Sequence, residues 1–478
     1  MKLLAVIAAL SVVKRIGGTW SPCCEALKST SLRDQVFDPN STQYRQSIES
    51  YWSQDVRLHP TCIVQPYSPA DVSQAVSTLV QANDHRPHCQ FAVRSGGHST
   101  VPGANNIHPG VTLDLSNLNA TAYDPATSTA SIGPGAHWDS VYSILFQHGV
   151  AVSGGRASNV GVGGLVTGGG NSFFAAQYGL VCDTVVNFEI VLADGRIINA
   201  NRTSHADLWK ALKGGSNNFG VVTRIDLEVF QKDQFWGGVV SYDNHTMPQQ
   251  ASALVNFTNH IVEDPYASLI VMLQYTANAD TNLVTNALHY TEPVAYPDAF
   301  DAFYDMSNVS DTTRFDTLGA FTDELNQAAD FHNLFLTLTF KNDARVIQYA
   351  ADLQNGIIED AKAYVKSTNY TLNTVFQPFP ALFGKIGLYL IDWSWENEAD
   401  NEFFNDRGYR VMQEVQACAE RLRAEYRFIY LNYAGPGQNP LQSYGEDNLI
   451  ELTRVAKKYD PHGVFQTQVP GGFKISQA

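Results

Sequence analysis

Between residues 154 and 170 the chain reads GGRASNVGVGGLVTGGG, and eight of these seventeen residues are glycine. Each glycine in such a run adds backbone freedom that must be lost on folding. What glycine provides in return is close approach of one backbone to another or to a ligand. Val160, Val162, Leu165 and Val166 lie between the glycines, so the run is not low-complexity sequence. A second cluster, LKGGSNNFG, occupies residues 212–220, and an earlier one, VRSGGHSTVPG, spans 93–103 and presents His98 at the end of a Ser95-Gly96-Gly97 turn. A dinucleotide-binding βαβ unit is excluded, since no G-x-G-x-x-G follows an early strand with an acidic ribose partner about twenty residues on. The pattern predicts several separate backbone approaches to one extended ligand.

The 478 residues are 44% apolar and carry a net charge of −16, enough for a large core and without the basic face that nucleic acid or an anionic membrane requires. The opening MKLLAVIAALSVV is too short to span a bilayer and reads as a secretory leader, over residues 1–20. Seven glycosylation sequons, at Asn40, Asn119, Asn201, Asn244, Asn256, Asn308 and Asn369, fit that route. Six cysteines fit an oxidising compartment, with Cys23, Cys24, Cys62 and Cys89 in the first fifth of the chain and their pairing open. No zinc-type spacing occurs, and the closest histidines, His85 and His88, are expected at the surface.

Ser68-Pro69-Ala70-Asp71 is a helix start, continued by Val72, Ala75, Val76 and Leu79. Strands are expected at 91–93, 111–115, 129–132, 268–275 and 334–340, and helices over 138–148, 403–422 and 449–459. Residues 187–199 read as a hairpin turning at Asp194-Gly195. The order is mixed α and β without regular alternation, an α+β chain. Three parts are expected after the leader: 21–235 with the glycine clusters, 236–435 as a second α+β domain with an antiparallel sheet covered by helices, and 436–478 returning to the first.

The segments FAVRSGGHS (91–99), IGPGAHW (132–138), VGVGGLVTGGG (160–170), VLADGRII (191–198), DLWKALKGGSNNFGVVT (207–223), YLNYAG (430–435) and YDPHGVFQTQVPGGFK (459–474) occur in an order that resembles the berberine bridge enzyme-like flavoproteins, in the fungal secreted branch. The resemblance covers nearly the whole chain. It implies the p-cresol methylhydroxylase type of FAD-binding fold and an enzyme, monomeric and secreted, with a small molecule and O2 as partners. It further implies FAD bonded through His98, with Arg94, Ser95, Gly96, Gly97, Ser99, Ala157, Val160, Gly161, Gly163, Gly164, Gly168, Gly169, Gly170, Val222 and Asn432 around the cofactor. Ala157 stands where some members carry a second, cysteinyl link, so a single link is expected, and Val160 stands where a small side chain accompanies oxidases.

For chemistry, the resemblance points to Tyr433 as base or substrate anchor, with an aromatic wall as the alternative role. A tyrosine needs a neighbouring cation or hydrogen bond to act as a base, and the sequence displays none. Asn171 replaces a tyrosine that plant members place after the glycine run. The Gln or Glu that the family supplies from a strand ending in tryptophan falls here on Leu388 or Leu390, in a stretch shortened near Gly384. Asp392 shares their face by alternation and is the further candidate for acid–base work. The expected reaction is oxidation of a small, largely apolar natural product, by dehydrogenation or oxidative cyclisation, with hydride passing to the flavin and oxygen reoxidising it. The rivals are a carbohydrate oxidase, a redox-neutral cyclase or isomerase, and a flavin-binding protein without turnover.

Overall fold

The computed structural model describes residues 21–82, 89–379 and 385–478. The leader, His85, His88 and the stretch around Gly384 lie outside them. The first sheet has the order Val36–Phe37, Cys62–Val64, Val111–Asp114, Phe91–Arg94, with the last three strands parallel. Parallel neighbours require a crossover, and helix Pro69–Ala82 supplies it. Its start follows the local code: the Asp71 amide donates to Ser68 Oγ at 3.2 Å, and Val72, Ala75, Val76 and Leu79 are buried. The adjacent cysteines diverge to two partners, Cys23 to Cys89 and Cys24 to Cys62, so the short helix Pro22–Lys28 is tied to both outer parallel strands.

A five-stranded antiparallel sheet follows, ordered Thr121–Asp124, Thr129–Ile132, Val221–Glu228, Val185–Val191, Ile197–Asn201. The expected hairpin is present, with Gly195 at φ +82° in its turn. The expected helix at 138–148 stops at Phe146, where the chain turns and the Gly149 amide donates to the Phe146 carbonyl at 3.0 Å.

The largest sheet has nine strands, antiparallel throughout, within residues 235–426. Helices Met247–His260, Ala344–Tyr364 and Asn401–Arg421 cover one face. In strand Ala267–Thr276 the alternation is regular, and Ala267, Leu269, Val271, Leu273 and Tyr275 enter the helix-covered core. Strand Ile386–Trp395 is apolar on both faces: Tyr389, Ile391, Trp393 and Trp395 pack toward the helices, while Ile386 and Leu388 pack into the core shared with the N-terminal part. The even-numbered face of this strand therefore looks onto the glycine-rich loops. At the C-terminus, helix Glu446–Tyr459 returns Leu452, Val455, Ala456 and Tyr459 to that same N-terminal core. Among the described residues no helix is long and apolar enough to cross a membrane.

Candidate active site

Strand Phe91–Arg94 ends at the turn that carries His98. Arg94 is buried and its guanidinium is turned into the protein. It bonds Ser47 and Ser50, pairs with Asp114 at 3.7 Å and lies 4.0 Å above the Tyr51 ring. It thus fixes the Tyr51-Trp52 segment rather than facing an open site. Gly97, at φ +73°, accepts a hydrogen bond from the Trp52 amide at 3.2 Å, and Trp52 stacks on His98 with ring centres 4.2 Å apart. His98 Nε2 is enclosed without a partner, and burial pushes the imidazole down to about 4 with His137 adding to the shift. A neutral ring with an unpartnered nitrogen is the form needed for a covalent bond to carbon.

The glycines serve one another as much as any ligand. A Cβ on Gly96 would lie 2.5 Å from Gly161 Cα, and one on Gly161 equally close to Gly96 Cα, so the two loops cross backbone on backbone. Ser95 Oγ bonds the Pro134 carbonyl and receives the Gly163 amide at 3.1 Å. Gly168 leaves room for Asn432, whose Nδ2 donates to the Leu165 carbonyl at 3.1 Å. Gly169 and Gly170 take φ of +118° and +83°, and their carbonyls receive the Cys182 and Val181 amides. Of the glycines in this run expected at the cofactor, Gly164 has open space where a side chain would point. Ser99 closes a local turn by accepting the Val101 amide, and Val160 and Val222 pack against the N-terminal core. Cys182 is buried and unpaired, its thiol pushed up to about 12 by burial, which leaves it unsuited to forming a link.

Tyr433 stands in the 3-10 turn Leu431–Tyr433, next to the Asn432 that reaches the glycine run. Its ring meets Phe335 and Tyr430 edge-on at 6.0 and 5.0 Å. Its hydroxyl accepts from Arg156 Nη2 at 3.1 Å and lies 3.4 Å from Gln377 Nε2. Arg156 also bonds Gln377 Oε1, which lies 3.4 Å from Asn171 Nδ2. Arg156, Asn171, Gln377 and Tyr433 therefore form one polar cluster, and the structure supplies the cation beside Tyr433 that the sequence did not display. Gln377 sits on strand Tyr370–Pro378, directly across from Leu388, so an amide reaches the site from the neighbouring strand where the expected one is replaced by leucine. The cluster is more polar than the sequence led one to expect.

Asp392 shares the face of Leu388 and Leu390 but belongs to a different group. Four residues separate it from Leu388, about 13 Å at the usual rise of a strand. It accepts hydrogen bonds from Gln327 and from Asn373 at 3.3 Å, and burial pushes its carboxyl up to about 6. Among the described residues no hydrogen bond joins it to Tyr433, Arg156 or Gln377. Arg156 and Gln377 were not singled out in the sequence. A signal existed for the first, which is the one charged residue in the glycine run.

These features define an α+β protein with a glycine-loop site facing an antiparallel sheet. A family model described as FAD binding domain matches residues 60–201. The chain is 43% identical to the FAD-dependent monooxygenase drtC of Aspergillus calidoustus over 95% of this chain and 90% of that one. It is 42% identical to the FAD-dependent monooxygenase sdcF of Emericella nidulans, over 95% and 98%. In fold it matches wild-type BBE-like 1 of Physcomitrella patens at a TM-score of 0.73 and 18% identity, covering 94% and 99% of the two chains. It also matches 6-hydroxy-D-nicotine oxidase of Arthrobacter nicotinovorans at 0.74 and 20%, covering 90% and 96%. The chain belongs to the family of FAD-dependent oxidoreductases that includes these two fungal proteins, and it shares the fold of the berberine bridge enzyme-like structures.

Proposed function

We propose that the protein is a secreted, FAD-linked oxidase of a small, largely apolar natural product of fungal secondary metabolism, with the flavin held by a single covalent bond to His98. The observation that carries the reading is the Tyr433 hydroxyl, held between Arg156 and Gln377, with its ring against Phe335, which also meets the Trp52 that stacks on His98. The residues present fit the cofactor: His98 offers an unpartnered, neutral nitrogen, Gly164 leaves open space, and the second attachment point is Ala157. The chemistry FAD supplies there is acceptance of a hydride equivalent and its return to oxygen. Tyr433 takes or holds the substrate O–H proton, with Arg156 favouring negative charge on whichever oxygen loses it. Leu388, Leu390, Val375 and Phe335 share a face of the sheet with Gln377, which supports a substrate with an apolar frame and a polar end. Of the seven sequons none is buried, as glycosylation during secretion needs.

The test is the visible spectrum of the purified protein before and after acid precipitation, with mass analysis of the peptide containing His98. Flavin colour in the pellet and a flavin mass on His98 are expected; a colourless protein expressed with FAD supplied would overturn the reading. The names of the two relatives favour a second reaction, monooxygenation, in which one oxygen atom enters product and the other becomes water at the expense of a reductant. Oxygen-18 gas separates the two: an oxidase yields hydrogen peroxide equal to oxygen consumed and unlabelled product.

A further inference from the structure

Arg156 is only 9% exposed, yet among the described residues no carboxylate is in ion-pair contact with it. Its hydrogen bonds run from Nη2 to Tyr433 Oη and Gln377 Oε1, both neutral, and its other nitrogens have no protein partner among the described residues. The surroundings offer no compensating charge. His289, within electrostatic reach of Arg156, is fully enclosed with Nε2 unpartnered and is held neutral, while the nearby Arg314 is already paired with Asp316 and Glu324. Asp392, the buried carboxylate on the same sheet face, is engaged by the amides of Gln327 and Asn373. A largely buried guanidinium without an anion is costly, and a ligand's negative charge would offset that cost. With Asn171, Ser172, Phe173 and Ser268 the cation lines a cavity of about 20 Å3, which takes one water or one ligand oxygen and not a whole substrate.

We propose that Arg156 is the anion-recognising residue of the substrate site, and that the substrate carries an acidic oxygen on its apolar frame, a carboxylate or an ionised phenol or enol, which pairs with the free edge of the guanidinium. This rests on the reading above that the Tyr433 cluster faces substrate, and it narrows the substrate class from apolar to apolar with one acid group. A guanidinium suits such an oxyanion because it stays charged and gives short, charge-assisted hydrogen bonds. Gln377 and Tyr433 occupy Nη2 and fix the plane of the guanidinium, which leaves Nε or Nη1 to give a ligand oxyanion a single charge-assisted hydrogen bond.

Calorimetric titration of the protein as purified tests this with benzoate against benzamide, and with 4-nitrophenolate against nitrobenzene. At least one anion is expected to bind tenfold or more tighter than its neutral counterpart. Arg156→Gln is expected to abolish that preference and Arg156→Lys to keep part of it. Equal binding of anion and neutral probe by the wild type, which needs no variant to fold, overturns the proposal. So does an undiminished preference in Arg156→Gln, or a variant that leaves probe binding unchanged but shifts the flavin potential, since the cation then serves the cofactor. A colourless protein that still prefers the anion would overturn the proposed function and leave this inference standing.

Discussion

The wall that carries His98 is made of loops that touch backbone to backbone, Gly96 on Gly161, while the wall that carries Gln377 is a ladder of side chains set by strand register. In the loops a residue's identity follows from its own backbone neighbours, and almost any side chain would collide. In the sheet, a position is polar or apolar according to what lies across from it. Leu388 and Gln377 share one rung, and either strand could have supplied the amide. The loop wall should therefore be intolerant of substitution where backbone meets backbone, as at Gly96 and Gly161, and the sheet wall sensitive only where a side chain touches the cluster.

The largest effect that would sharpen this contrast is expected at Gly161→Ala, where the new Cβ meets Gly96 backbone at 2.5 Å. Backbone on both sides leaves nothing flexible to move, so a loss of about 4 kcal/mol, or failure to accumulate, is expected by thermal or urea unfolding. Next is Tyr433→Phe, which removes the hydroxyl and keeps the ring against Phe335 and Tyr430; kcat should fall about a hundredfold or more with little change in melting temperature. A normal kcat would return Tyr433 to the role of an aromatic wall.

Asp392→Asn should act on stability in a pH-dependent way. The folded carboxyl titrates near 6 against 3.8 unfolded, so the folded state holds more protons between those values and wild-type stability falls as pH rises through them. The variant lacks this penalty. It should be more stable than wild type by up to about 3 kcal/mol above pH 6, with the difference vanishing below pH 4, read from melting temperatures across that range. A large drop in kcat would instead join Asp392 to the reacting cluster. The smallest effect is expected for Asn432→Ala, which deletes one bond to the Leu165 carbonyl and costs about 1 kcal/mol in urea unfolding.

Much of the loop wall was legible in the chain. Two glycines before His98 and eight between 154 and 170 announce close packing of backbone whatever the remaining fold. Their partners were not legible, and Gly96 finds Gly161 rather than a ligand alone. On the sheet wall the strands could be placed by alternation, and the two-sided burial of Ile386–Trp395 appears in its nearly unbroken apolar sequence. Asp392 was singled out and Gln377 was not, because alternation gives the face of a residue and not its position along the site.

By itself the sequence determined the main element types, the places where backbone packs closely, the helix starts and the residue that presents an imidazole, since each depends on a few neighbouring backbone atoms. Only the tertiary structure decided that Cys23 pairs with Cys89 and Cys24 with Cys62, that Arg94 faces inward, and that Arg156 meets Tyr433 and Gln377. Those contacts join residues tens to hundreds of positions apart. Register and domain packing set such distances, and neither leaves a mark in the local order of residues.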